Sequence, residues 1–187
     1  MVKEATQSMS RGDFIHTYTG KKFYALDPRP EDICIEDISH ALSNLCRFGG
    51  HSPQYYSVAE HSVLVSECVP LKDALWGLLH DASEAYLCDI PRPFKQYLSN
   101  YKELEECIQR AIGDAFGLSW PIPDTVHYID RNIVATEANT LWGRTLEWTA
   151  PYAPINAKIV GYGPIASEVF FLTKFQELTF EKRKASI

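Results

Sequence analysis

Apolar positions recur at helical spacing along most of the chain. Ile35, Ile38, Leu42 and Leu45 fall at i, i+3, i+7 and i+10, one face of an amphipathic helix. That helix is expected to end at Arg47-Phe48-Gly49-Gly50, where paired glycines supply the stop. Ser57-Val58-Ala59-Glu60 has the S-x-x-E form of a capping box. It predicts a second helix with a stripe through Val58, Val65 and Val69, closed by Pro70. A third helix is predicted over 72–87. Its residues Ala74, Leu75, Trp76, Leu78, Leu79, Ala82, Ala85 and Tyr86 leave few polar faces, which places it in a core. Asp89-Ile90-Pro91-Arg92-Pro93 reads as a rigid turn close to the end of that helix. Further helices are predicted over 101–116, stopped by Gly117, over 121–146, and over 165–182. The low-charge, proline- and aromatic-bearing segment 148–164 reads as an irregular loop packed on the body.

Strand patterning is confined to the N-terminal region. Phe14-Ile15-His16-Thr17-Tyr18 and Lys22-Phe23-Tyr24-Ala25-Leu26 flank Thr19-Gly20, so 14–30 is expected to hold a short β-hairpin. Residues 1–12 read as a mobile tail. The pattern as a whole predicts an all-α fold with that hairpin, in one domain over 1–187, with no internal repeat or dividing linker.

Composition changes this picture little. A chain of 187 residues suits a single domain with a sizeable core. The net charge of −6 argues against stable nucleic-acid binding, which usually shows a basic balance, but leaves room for small anions held by a local positive cluster. The five cysteines, Cys34, Cys46, Cys68, Cys88 and Cys107, never form C-x-x-C. They fit a reducing compartment better than a disulfide framework. With no signal-peptide core in 1–13 and no membrane-length apolar run, the expectation is a cytoplasmic protein without a membrane partner.

The residues that do not fit their helices carry the chemistry. His80, Asp81 and Glu84 interrupt the apolar third helix, and buried ionisable side chains are rare unless they are paired or bind a metal. His61 falls on the stripe of the second helix, and Asp130 shares a face with Val126, Ile133 and Val134. Three helices thus offer His61, His80, Asp81 and Asp130. Adjacent helical residues point about 100° apart, so His80 and Asp81 can share one ion only if it lies beside the helix between them. Two imidazoles and two carboxylates suit one divalent transition metal, cobalt, manganese, nickel, iron or zinc, with magnesium also admitted. Four protein ligands leave an octahedral ion two open positions, for water and a substrate oxygen.

His61 in Ala59-Glu60-His61-Ser62, His80-Asp81-Ala82-Ser83-Glu84, Asp89-Ile90-Pro91 and Asp130 together resemble the H…HD…D pattern of HD-domain metal-dependent phosphohydrolases. The likeness is to the 5′-deoxynucleotidase branch and its nucleoside-triphosphate-hydrolysing relatives, and it covers roughly residues 34–145. It implies a helical HD-domain bundle, a metal on the four matching positions, a small nucleotide as substrate and a homo-oligomer. It also implies that Glu84 is the catalytic acid/base. Arg47 would bind phosphate as a fork. Phe48 stands where those enzymes carry tryptophan, so the deoxyribose discrimination tied to that tryptophan is not carried over. Asp89 would contact substrate, and Pro93 and Lys95 resemble a pair in the triphosphate branch whose lysine meets phosphate oxygens.

Bland readings stand beside these. Arg47 could cap its helix C-terminus, Lys95 could be a solvated surface lysine, and Glu84 a structural helix acid. Glu137, on the face of Asp130, could either support a ligand or pair with an arginine. His40, His51 and His127 are rival ligands, His127 the strongest because it lies one turn from Asp130. Trp142, Trp148 and Tyr152 read as core or subunit interface rather than a base-stacking site. The favoured function is a 5′-deoxynucleotidase releasing phosphate from monophosphates. The alternatives are a nucleoside triphosphate phosphohydrolase, a cyclic-nucleotide or alarmone phosphodiesterase, and a non-catalytic nucleotide-sensing module.

Overall fold

In the computed structural model, which describes residues 11–184, the regular structure is helical apart from a two-stranded hairpin. Strands β1 (Ile15–His16) and β2 (Lys22–Phe23) pair antiparallel, with Ile15 opposite Phe23. Two strands are marginal alone, and docking supplies the rest. Phe23 is buried and stacks on Tyr86 at 3.8 Å, while Thr19 N–H donates to Asp37 at 2.6 Å. Arg11, expected in the tail, is instead anchored by ion pairs to Asp27 and Asp32; residues 1–10 of the expected tail lie outside the described residues.

Helices α1 (Ile35–Asn44), α2 (Val58–Cys68), α3 (Ala74–Leu79) and α4 (Glu84–Leu87) are followed by the short α5 (Arg92–Lys95). Then come α6 (Tyr101–Ala115), α7 (Asp124–Leu141) and α8 (Pro164–Lys184). The centre is α2, which packs on α1, α3, α7 and α8. Val58, Ala59, His61, Ser62 and Val65 are all buried on it, as a helix enclosed on most sides must be. One apolar cluster joins Ile38, Leu42, Val58, Leu75, Leu78, Ile108 and Phe171; a second joins Tyr56, Val65, Trp76, Val126 and Ile133. Each such side chain contributes about 1.5–3 kcal/mol when fully buried. Gly77 lets α3 approach closely, since a Cβ there would lie 2.8 Å from the Ser66 Cα of α2.

Several boundaries differ from expectation. The first helix stops at Asn44, before the glycines, because the chain turns back on itself: Arg47 N–H donates to Tyr56 O at 2.9 Å and Val58 N–H to Leu45 O at 3.0 Å. Arg47 therefore does not cap a helix. The predicted helix over 72–87 is two helices, with residues 80–83 between them in tight turns. Gln109 of α6 causes the interruption by occupying Leu79 O (2.6 Å) and Ser83 N (3.1 Å), and side-chain insertion into the i→i−4 ladder is an established source of helix breaks. Pro93 is exposed and lies within α5 where only a turn was expected; Pro91 and Pro93 suit a helix start. The helix expected over 121–146 is shorter at both ends, starting after Pro123 and stopping before Gly143 at φ +65.

Segment 148–164 is irregular, as expected, and is held by Glu60. Ser57 caps α2 by accepting from Glu60 N–H at 3.0 Å, but the Glu60 carboxylate does not complete the capping box. It accepts backbone N–H bonds from Val160 (2.8 Å), Gly161 (3.0 Å) and Tyr162 (2.8 Å), tying the loop that leads into α8 to the residue beside His61.

Candidate metal centre

His61 from α2, His80 and Asp81 from the break between α3 and α4, and Asp130 from α7 converge, with one potential ligand atom from each lying within 4.8 Å of all the others. His61 Nε2 is 3.2 Å from His80 Nε2, 3.1 Å from Asp130 Oδ1 and 3.5 Å from Asp81 Oδ2. His80 Nε2 is 3.3 Å from Asp81 Oδ2 and 3.6 Å from Asp130 Oδ1. The histidines are buried and the carboxylates partly exposed, so the cluster opens to solvent on its acidic side.

The outer ring nitrogens decide what the inner ones present. His80 Nδ1 lies 2.7 Å from the Gly77 carbonyl, which can only accept, so this nitrogen carries hydrogen. His61 Nδ1 lies 2.7 Å from Glu137 Oε1. Although burial opposes it, Arg47 and His61 keep Glu137 below the usual carboxylate range, so Glu137 also accepts. Neutral imidazoles then turn two Nε2 lone pairs toward each other between two carboxylates. Four electron-rich atoms converging without an intervening donor repel. Protonation of the rings relieves this, and so does a divalent cation. The set fits such an ion in ligand chemistry and in the hydrogen-bonded orientation of its histidines.

Arg47 borders the cluster. Its guanidinium lies 3.2 Å from Glu137 Oε2 and 3.6 Å from Asp81 Oδ2, while Tyr56 O–H donates to Glu137 Oε1 at 2.9 Å. Glu137 thus pairs with an arginine and, through its other oxygen, also meets His61. Arg47 Nε and Glu84 Oε2 are buried without a hydrogen-bond partner, and orphaned buried groups call for an explanation. Glu84 is pushed well above the usual carboxylate range by burial and by the charges of Asp81 and Asp89. Lys95 Nζ lies 3.5 Å from Glu84 Oε1 but 2.8 Å from Glu105 Oε1; burial works against its charge and these acids outweigh it. Lys95 is therefore neither a free surface lysine nor an unengaged phosphate ligand. Asp89 is half-buried and raised, first by desolvation.

Phe48 adopts a left-handed backbone (φ 57) and packs on Trp142, at the end of α7, at 5.2 Å and on Trp148, in the loop that follows, at 5.9 Å. The rival histidines stay outside the cluster. His40 pairs with Glu168 at 3.1 Å and stacks on Tyr18, and His51 and His127 are exposed. Sequence reasoning missed Tyr56, Gln109 and Glu105. The first looks like an ordinary core aromatic, and the other two lie on an amphipathic helix whose pattern marks neither as special.

No helix among the described residues is long and apolar enough to cross a membrane, and no protein-family model matches the chain. The uncharacterized protein YfdR of Escherichia coli (strain K12) is 46% identical over 128 residues, covering 68% of this chain and 72% of that protein. The uncharacterized protein RCAP_rcc00048 of Rhodobacter capsulatus is 38% identical over 115 residues, covering 56% of this chain; the match spans 59% of that relative's length. At the identity and coverage shared with YfdR, the chain belongs to the same family as that protein.

Proposed function

We propose that the protein is an HD-type metal-dependent phosphohydrolase acting on nucleoside 5′-monophosphates, with deoxyribonucleotides as the favoured class. The observation that carries this reading is the opposition of the two histidine Nε2 atoms at 3.2 Å, each ring tied back through Nδ1, with Asp81 and Asp130 closing the set. His61, His80, Asp81 and Asp130 would hold the ion. When bound, a divalent cation supplies Lewis-acid polarisation of a phosphoryl oxygen and acidified water.

The remaining work falls to the chain's own groups. Arg47 has its Nε unpartnered beside the ligand set, where it can donate to a phosphate oxygen while Glu137 fixes the other side of its guanidinium. Burial and the charges of Asp81 and Asp89 raise Glu84 well above the usual carboxylate range, which favours its acid form, and its unpartnered Oε2 can pass a proton to a leaving oxygen. Engagement of Lys95 by Glu105 favours the monophosphate reading over the triphosphate one, which needs that ammonium on phosphate. The test is an assay supplemented with manganese or cobalt across mono-, di- and triphosphates, reading phosphate, pyrophosphate and triphosphate separately. Phosphate release from monophosphates is expected. Triphosphate release would transfer the assignment to the triphosphohydrolase class, and tight nucleotide binding with no turnover would make the protein a sensor.

A further inference from the structure

The helical ladder around the His80-Asp81 pair is opened at one defined place. Leu79 O and Ser83 N are the i and i+4 partners that a continuous helix would join. Gln109, only 3% exposed on α6, stands between them: its Nε2 donates to Leu79 O at 2.6 Å and its Oε1 accepts from Ser83 N at 3.1 Å. Both ends of a buried amide are thus satisfied by another helix's backbone. Around the wedge, the backbone uses i→i+3 bonds: Ala82 N–H to Leu79 O (3.1 Å), Glu84 N–H to Asp81 O (3.0 Å) and Tyr86 N–H to Ser83 O (3.0 Å).

This tightening has an angular consequence. In an α-helix Glu84 would lie in the row of His80, four residues back. In i→i+3 turns, residues three apart eclipse, so Glu84 moves into the row of Asp81. Asp81 itself reaches both histidines, its Oδ2 lying 3.5 Å from His61 Nε2 and 3.3 Å from His80 Nε2.

The geometry points to Gln109 as a positioning residue for the centre: its amide wedge sets the turn that brings Asp81 to the histidines and aligns Glu84 with Asp81. The inference rests on the metal-hydrolase reading and goes beyond it, because Gln109 is on a different helix from every proposed ligand and touches only backbone among its hydrogen-bond partners here. Gln109→Leu fills similar volume and cannot bridge, so Leu79 O and Ser83 N are released to pair with each other. Gln109→Glu keeps the acceptor for Ser83 N–H and loses, when ionised, the donor to Leu79 O.

The experiment loads wild type and both variants with Co2+ and reads the visible spectrum of the ion, its dissociation constant, kcat and KM on a nucleoside monophosphate, and Tm. For Gln109→Leu the expected result is an altered Co2+ spectrum, about tenfold weaker binding, and a kcat that falls with KM near wild type, with partial recovery in Gln109→Glu. A spectrum, affinity and kcat identical to wild type in Gln109→Leu, whatever happens to Tm, overturns the inference and leaves the metal reading standing. If Gln109→Leu does not fold, Gln109→Met, which is of similar length and cannot bridge the two backbone groups either, takes its place, and an unchanged spectrum, affinity and kcat there overturn the inference equally. Failure of the wild-type protein to take up Co2+ overturns the metal reading first and this inference with it.

Discussion

His61 and His80 face each other Nε2 to Nε2 at 3.2 Å, each with its Nδ1 hydrogen committed elsewhere, to Glu137 and to the Gly77 carbonyl. Two rings fixed in this way present lone pairs to one point, which Asp81 and Asp130 share. Substituting His61 or Asp130 by alanine is expected to weaken metal binding about 100-fold or more, since loss of even an outer partner costs about 10–100-fold. Metal content after gel filtration checks this; wild-type content in both variants would remove the assignment.

The metal-free protein should show a telling pH dependence. Burial and, at His61, Arg47 oppose protonation, but Glu137 and Asp130 at His61, and Asp81 and Asp130 at His80, outweigh them and raise both histidines above 6.5. A histidine raised on folding contributes stability that is complete below its unfolded value and is lost as pH climbs through the folded one. With chelator present, Tm should therefore fall as pH rises above about 6.5. Manganese should reverse that slope, because the ion requires deprotonated imidazoles. A Tm that rises with pH in chelator contradicts the electrostatic account.

Glu137 joins Arg47, His61 and Tyr56 in one fully buried carboxylate. Its replacement by alanine leaves the Arg47 charge without its closest partner, and breaking one side of a buried pair costs about 3–5 kcal/mol. Urea unfolding of metal-free Glu137→Ala against wild type measures this. A difference under about 1 kcal/mol would mean that the pair contributes as little as a surface one.

Glu84 is predicted to act on the proton rather than on the ion. Glu84→Gln should lower kcat about 10²–10⁴-fold, the usual contribution of a positioned acid or base, while leaving metal content unchanged. Loss of bound metal in this variant would instead place Glu84 among the ligands.

Gly77 couples packing to the site, because its missing side chain admits Ser66 and its carbonyl orients His80. Gly77→Ala brings a Cβ to 2.8 Å of backbone, and overpacking of this kind costs about 1–3 kcal/mol. Thermal unfolding and metal titration should both worsen, since moving α3 away from α2 separates His80 from His61. Wild-type metal affinity alongside a lowered Tm would show that the site tolerates the shift.

Much of this was legible in the linear pattern. The stripe of Ile35, Ile38 and Leu42, the Ser57 cap and the apolar run from Ala74 to Leu79 depend on local spacing, which is where helix periodicity operates. His61, His80, Asp81 and Asp130 stood out for the same reason: charged or titratable residues on apolar faces must be compensated. Local rules could not see contacts made across the chain. The first helix ends early because Arg47 pairs with Tyr56, Glu60 abandons its capping role for the backbone of Val160, Gly161 and Tyr162, and the helix over 72–87 breaks because Gln109 enters its ladder. Residue order alone required these side chains to find partners in the core. The partners they found were set by the fold, because hydrogen bonds between distant segments compete with the local ladder and, at His80-Asp81, displace it.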